Sequence, residues 1–414
     1  MPSCLVTGDP ACWDQHETLR VLREKAPVQP VELPGGLVAW LVTGAAETRQ
    51  ALTDPRLAHD LRRLPDPGQG FAGRRYPGDI FAVEGRHLLN SDGADHRRLR
   101  ATLAPLLSRT TARRWKPQVE QACARLLDRM ASDDTADLVT DYARPLATSL
   151  TGEMLGIPHE YLPQLSQLTI SMITAAGHPA SQRDRVELFR LWARIIGRKH
   201  RMPGDDILTR LVQARQAGDL SAQELASVAW GLFSGGISPA TTLITAGAIE
   251  LMRAPALRSA LSGQASASGL IEELLRLTSP FPVATWRFAL DHLTIGDTGI
   301  PQGAVVLASL AAANRDPRLF PDPGRPAPAR HHSGPHLAFG LGPHYCPGAH
   351  LARIQANVAL TALFTRLPGL HLSVPESTLR WHGMLVERCY DSVPVYTRTP
   401  SSSVARPGSS ARQR

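Results

Sequence analysis

The chain has 414 residues, 43% hydrophobic and 20% charged, with a net charge of +8, which gives ample material for a large core and excludes a disordered polyelectrolyte. The positive balance does not point to nucleic acid: the arginines are spread along the chain, aromatic residues make up only 5%, and lysine occurs only at 25, 116 and 199. Five cysteines, Cys4, Cys12, Cys123, Cys346 and Cys389, without short paired spacings suggest neither a disulfide framework nor a zinc site, and fit a reducing cytoplasm.

The opening stretch is short of apolar residues and soon acidic, so no signal peptide is expected. A helix is predicted from about Asp14 to Lys25, closed by Pro27. Strands follow over Val28 to Leu33 and Leu37 to Val42, joined at Pro34-Gly35-Gly36. Residues 62–90, rich in Pro, Gly and Arg, read as a long functional loop. Helical periodicity then dominates from His96 to about Leu277, with breaks expected at Pro145, Pro158, Pro203 and Pro255. The basic stretch His96 to Trp115 reads either as a solvated helix face or as a dock for a small acidic protein. From Leu225 to Ile249 there is no charged residue, a run long enough to cross a bilayer. Its glycines, Pro239 and hydroxyl residues, bracketed by Glu224 and Glu250, make a buried core helix the expectation, with no membrane association. After Pro280 short strands and turns alternate. With no composition break or repeat, one large domain over 1–400 is predicted, followed by a disordered tail at 401–414.

The segment FGLGPHYCPGAHLAR, Phe339 to Arg353, carries the chemistry. A cysteine sits in a glycine-shaped loop at the mouth of a helix, with a histidine two residues before it. Gly340 and Gly342 can take backbone angles closed to other residues, while Pro347 and Gly348 suit a loop-to-helix transition. N–H groups at that helix start would stabilise a thiolate. Such a setting is what a thiolate ligand of haem iron needs.

Phe339, Gly340, Gly342, His344, Cys346 and Gly348 fill every fixed place of the haem-binding loop of the cytochrome P450 family, which the chain therefore resembles. The resemblance implies a mainly α fold with small β-sheets, Cys346 as the axial ligand of haem b (iron protoporphyrin IX), and cofactor contacts along the loop. Glu273 and Arg276, three apart on a helix and able to pair, match its Glu-x-x-Arg, with Arg330 in the place of the arginine that this pair bonds. His96 and Arg100, four apart on one helical face, match its propionate-binding pair; Arg287 and His344 resemble further propionate partners. His336 is read as packing. Substrate contacts are expected from 62–90, from about 165 to 200, from Ser279 to Thr285 and from Met384 to Val386. Together these offer Phe71, Tyr76, Phe81, Met172 and Phe281 with Gln69, Ser171 and Thr174, a lining for a medium-sized apolar molecule with polar anchors.

In one place the chain departs from the family, whose central helix carries small-Gly-x-acid-Thr above the iron to relay protons to dioxygen. Aligning Gly235-Gly236 puts Ser238 at the acid and Pro239 at the threonine; sliding to put Thr241 or Thr242 over the iron loses the glycine and leaves Ala240 or Thr241 at the acid, so neither register restores the pair. Pro239 cannot donate to the carbonyl of Gly235, so a kink is expected. Protons would then come from ordered water, Ser238 or the substrate. Two reactions follow, both using O2 and electrons from a ferredoxin and its reductase: oxygen insertion into a small molecule, or hydrogen abstraction that couples radicals into a C–C or C–N bond. The altered turn favours the second, with an aromatic or cyclic-dipeptide (diketopiperazine) substrate implied by the resemblance. A non-enzymatic haem-thiolate sensor is the third reading, disfavoured by the lack of an attached signalling module. A monomer in the cytoplasm is expected.

Overall fold

The computed structural model describes residues 15–33, 37–65, 86–174, 179–330, 335–382 and 388–398. Cys4, Cys12, the 34–36 turn, Gln69, Phe71, Tyr76, Phe81, Met384 to Val386 and the tail lie outside the described residues. The Thr174 side chain also lies outside the described part of the structure.

The amphipathic N-terminal helix occupies Gln15–Lys25, and strands Val28–Leu33 and Leu37–Val42 pair antiparallel as expected. They enter a five-stranded sheet in the order Val28–Leu33, Leu37–Val42, Val305–Ala308, Arg287–Ala289, Leu57–Ala58. Val305–Ala308 runs parallel to its N-terminal neighbour and is buried throughout, which is why its four residues are all apolar. This sheet ties strands from residues 28–58 to strands from residues 287–308. Its edge pair, Leu57 opposite Ala289 and Ala58 opposite Phe288, leads directly into the site.

Helices make up most of the rest. The expected break at Pro145 is not one: a π-helical turn, Leu138–Ala143, runs into helix Arg144–Leu155, and Pro145 sits in its first turn, where a missing N–H costs little. The helical stretch also contains a short strand, Thr135–Asp137, whose partner Pro394–Tyr396 lies far along the chain, beyond the reach of local periodicity. Pro158 and Pro203 do fall in connections, and Pro255 opens a 3-10 helix, Pro255–Ser262, just after the long helix ends.

The uncharged run forms the centre of a long helix, Ala222–Arg253. A capping box starts it: Ser221 Oγ accepts from the Glu224 N–H and Glu224 accepts from the Ser221 N–H, so two orphan donors are satisfied. Arg98 Nη2 holds Glu224 at 2.5 Å. The helix packs against Arg144–Leu155, Gln264–Thr278 and Ala349–Arg366 in the main core, which accounts for its membrane-like composition. The kink expected at Pro239 does not divide it. The helix stays continuous, because buried turns on both sides hold the proline in place despite the lost bond.

Candidate functional site

Cys346 lies in a tight loop before helix Ala349–Arg366, with Gly348 at its N-cap. Gly340 (φ 71°) and Gly342 (φ 77°) take the left-handed backbone that the motif predicts. At Gly342 a Cβ would also come within 3.2 Å of the Leu52 carbonyl. The Cys346 N–H donates to the Phe339 carbonyl at 3.0 Å and closes the loop. Burial pushes the thiol pKa up, while the Gly348 and Ala349 N–H groups and the Arg100 and Arg353 cations pull toward thiolate. A bound iron would decide that contest, since a coordinating thiol is deprotonated.

The Glu-x-x-Arg pair is fully buried, with Arg276 Nε and Nη2 donating to Glu273 at 2.8 and 2.7 Å. Arg276 Nη1 also donates to the carbonyls of Asn314 and Pro323, and Arg330 Nε reaches Glu273 at 3.2 Å, as the resemblance implies. The neighbouring Glu272 serves a second network that sequence reasoning missed. Arg353 grips it with bonds of 2.6 and 2.9 Å and lies 4.6 Å over the Phe339 ring. His336 does more than pack: its Nε2 is 3.1 Å from Glu272, and its Nδ1 accepts from the Ala338 N–H. Glu272 thus fastens both flanks of the Cys346 loop, His336 before it and Arg353 after it, to one helix, while Glu273 holds the preceding segment through Arg330. The only signal in the sequence was the Glu-Glu pair.

On the other side of the loop, His96 and Arg100 project from helix Gly93–Leu103, and the His96 ring lies 4.1 Å from that of His344. Arg287, at the start of its strand, is buried and donates to the Thr285 carbonyl at 2.9 Å. Burial lowers its pKa to about 10, with Asp92 opposing. His96 Nε2 and His344 Nδ1 are buried without hydrogen-bond partners. Unpaired buried nitrogens beside two arginines are costly unless an anion meets them, so the set fits the carboxylates of a haem whose iron Cys346 would bind.

His59 and Asp92, which sequence reading did not single out, belong to the same cluster. Asp92 accepts from the His59 and Asp60 N–H groups at 2.9 and 2.8 Å, and from His59 Nδ1 at 3.3 Å. His344 Nε2 is 3.7 Å from the same Asp92 oxygen. Burial alone would raise the Asp92 pKa, but His344, His59 and the Asp60 N–H hold it well below the usual carboxylate range.

The long helix presents Gly231, Gly235 and Pro239 along one face, four residues apart. None of the three is buried, and a Cβ on either glycine would meet nothing within 4 Å. Gly236 is different, since a Cβ there would come within 2.6 Å of Thr151 Oγ1 on the crossing helix. Ser238 is buried and turned to the short strand Cys389–Tyr390, with Oγ 2.7 Å from Cys389 Sγ. Thr242 Oγ1 donates to the Arg388 carbonyl at 2.5 Å and lies 3.3 Å from Cys389 Sγ; Thr241 donates back to the Ile237 carbonyl. The side-chain hydroxyls of this turn are therefore spent on holding structure. Of the expected lining residues, Met172 and Phe281 pack on the main core, Ser171 donates to Asp184, and Ser279 bridges the Arg276 carbonyl and Asn314.

A family model described as cytochrome P450 matches residues 267–386. The chain is 35% identical to the 6-deoxyerythronolide B hydroxylase of Saccharopolyspora erythraea, over 92% of this chain and 96% of that one. Among solved structures, tirandamycin C-bound P450 monooxygenase TamI superposes with a TM-score of 0.85 at 33% identity, covering 93% of this chain and 98% of the other. CxnD, a cytochrome P450 for C–S bond formation in chuangxinmycin biosynthesis, gives 0.83 at 27% identity, covering 93% and 95%.

Proposed function

The chain belongs to the cytochrome P450 family, as a bacterial haem-iron oxidoreductase of secondary metabolism, and we propose that it couples rather than hydroxylates its substrate. The turn at Ser238 and Pro239 carries this reading. A proline stands where the family's alcohol would be, and the residue in the acid's place is bound to Cys389. Haem held by Cys346 would supply the activation of dioxygen, with the thiolate pushing electron density toward O–O cleavage. Ser238 and Pro239 then have a negative role: they leave the proton path to water and to the substrate. A substrate carrying its own N–H or O–H meets that need and is also the kind that readily gives up hydrogen. In coupling, two substrate hydrogens, dioxygen, two electrons and two protons leave as two waters, and one C–C or C–N bond forms within the substrate.

The open face at Gly231, Gly235 and Pro239 supports a flat, medium-sized molecule such as an aromatic or cyclic dipeptide, because no side chain projects from it beyond the proline ring. Exposed Arg109 and Arg113 act on His350 near the start of the helix that follows Cys346, and Arg97, Arg114 and Lys116 are exposed along the same stretch of chain. That charge suits an acidic ferredoxin, steered in the same sense as the electrons flow. Haem b, a ferredoxin with its reductase, a monomeric state, a single haem domain over 1–400 and a cytoplasmic location complete the proposal.

Oxygen insertion is the second reading, favoured by the likeness to a hydroxylase at 35% identity. The test is the accurate mass of products from purified protein, a surrogate ferredoxin and reductase, NADPH and a panel of aromatic and cyclic-dipeptide substrates. A loss of two hydrogens, within one molecule or across two joined ones, supports coupling; a gain of one oxygen replaces it with hydroxylation.

A further inference from the structure

We propose that His59 is a further residue holding the haem carboxylates, and that Asp92 is the positioning residue that aims both His59 and His344 at them. The argument begins with the sheet. Leu57 and Ala58 pair with Ala289 and Phe288, and one more step of that register sets His59 beside Arg287. Directly opposed residues of an antiparallel pair share a face, so imidazole and guanidinium are delivered to the same side.

The rings then form a stack. His59 and His344 lie 3.7 Å apart at an interplanar angle of 29°, and His96 follows 4.1 Å beyond His344. His59 Nδ1 and His344 Nε2 both turn to Asp92 Oδ1, at 3.3 and 3.7 Å. The opposite nitrogens, His59 Nε2 and His344 Nδ1, are buried and unpartnered, as is His96 Nε2. One carboxylate therefore fixes two imidazoles in parallel, with their free nitrogens on the far edge. His59 itself is only 6% exposed. A buried nitrogen left without a partner at this site is what a haem carboxylate would satisfy.

His59, Asp92 and His344 each place one ligand atom within 4.8 Å of the others, a spacing that would also suit a divalent cation. The surrounding charge argues for the anion. Arg287 is buried beside His59, and Arg63 Nη1 lies 3.7 Å from Asp92 Oδ2. Burial, and after it Arg287 and His344, push the His59 pKa down to about 3, with Asp92 opposing. To meet a carboxylate at Nε2 while donating at Nδ1, His59 would need both ring protons, and a haem carboxylate beside Nε2 would add to Asp92 in favouring that form.

The experiment compares native holoenzyme with His59→Phe, which keeps a ring against His344 but removes both nitrogens, and with His59→Gln, which can restore a donor. Haem transfer to excess apomyoglobin is timed, and the propionate bending band is read by resonance Raman. The expectation is about tenfold faster haem loss in His59→Phe, one missing charged hydrogen bond, with a shifted propionate band and substantial recovery in His59→Gln. Asp92→Asn should shift the same band, and it supplies the test if His59→Phe does not fold. Native haem retention and an unmoved band in these variants would overturn the proposal, as would a lowered melting temperature with the band unmoved, which would make His59 packing alone. The proposal rests on haem being held by Cys346, and the reduced carbon monoxide absorption, retained in every variant, keeps that assignment separate from it.

Discussion

The two walls of the site were built under different constraints. On the thiolate side every fixed place is filled, and paired groups brace the surroundings: Arg353 with Glu272, Arg276 with Glu273, and the Cys346 N–H with the Phe339 carbonyl. On the opposite side, in the proposed register, Ser238 and Pro239 stand in place of the family's pair, and the helix's hydroxyls bond to Cys389 and the Arg388 carbonyl. The difference teaches where variation is tolerable. A flat cofactor with two carboxylates dictates one geometry, whereas the wall across from it answers to a substrate and can change with it. The comparison breaks most severely at the ligand itself. Cys346→Ser should abolish the red-shifted absorption of the reduced carbon monoxide complex, and a variant retaining that band would refute the thiolate assignment.

The next largest effect is expected one layer out. Arg276 and Glu273 are buried at 0% and 1% side-chain exposure, so Arg276→Met takes the bidentate partner from a buried carboxylate and leaves Arg330, at 3.2 Å, as its cation. Breaking such a pair costs about 3–5 kcal/mol. Denaturant unfolding of the variant should show that loss, with little folded protein at 37 °C. A cost below about 1 kcal/mol would mean that the network is no more than a surface ion pair.

These two walls also differed in how legible they were. The Cys346 loop could be read from residues because its demands are local: left-handed glycines, a helix start, a cysteine. Glu273 and Arg276 were legible for the same reason, as a pair three apart on one helix. His59 and Asp92 were not, since nothing within either local segment announces them. They become a site only when the Leu57–Ala58 strand pairs with Arg287–Ala289, 230 residues later in the pairing of Ala58 with Phe288. The Ser238 contact was hidden likewise, because its partner Cys389 is 151 residues away. The missing acid–alcohol pair could be read from the sequence; what occupied the vacated hydroxyls could not.

On the oxygen side the expected change is in partition. Pro239→Thr restores an alcohol and a backbone donor to the Gly235 carbonyl; Ser238→Asp adds the acid but must displace Cys389 from a buried contact. The proline change alone should therefore be the better tolerated, and it should raise oxygen insertion relative to coupling about tenfold, below the usual 10²–10⁴ of general acid catalysis because the acid is still missing. The double change should raise it further in whatever fraction folds. Product ratios unmoved in both, read by mass spectrometry, would show that this turn does not govern the reaction.

The smallest effect separates the two carboxylates that brace the loop. Burial alone would raise the Glu272 pKa, but the Arg353 guanidinium and His336 hold it down to about 2, against an ordinary 4.5. A carboxylate with a depressed folded value contributes stability that is complete above its unfolded value and is lost as pH falls toward the folded one. Glu272 should therefore stabilise the protein fully above about pH 5 and progressively less between about pH 4.5 and 2. Glu272→Gln should lower the melting temperature at pH 7, and the gap between variant and native should narrow as pH drops through that window. Other buried carboxylates, Asp92 and Glu273 among them, titrate in the same direction in both proteins and cancel in the difference. A gap that stays constant down to pH 3 would mean that the Arg353 grip works through shape rather than charge, since glutamine keeps the length of the side chain and loses only its ionisation.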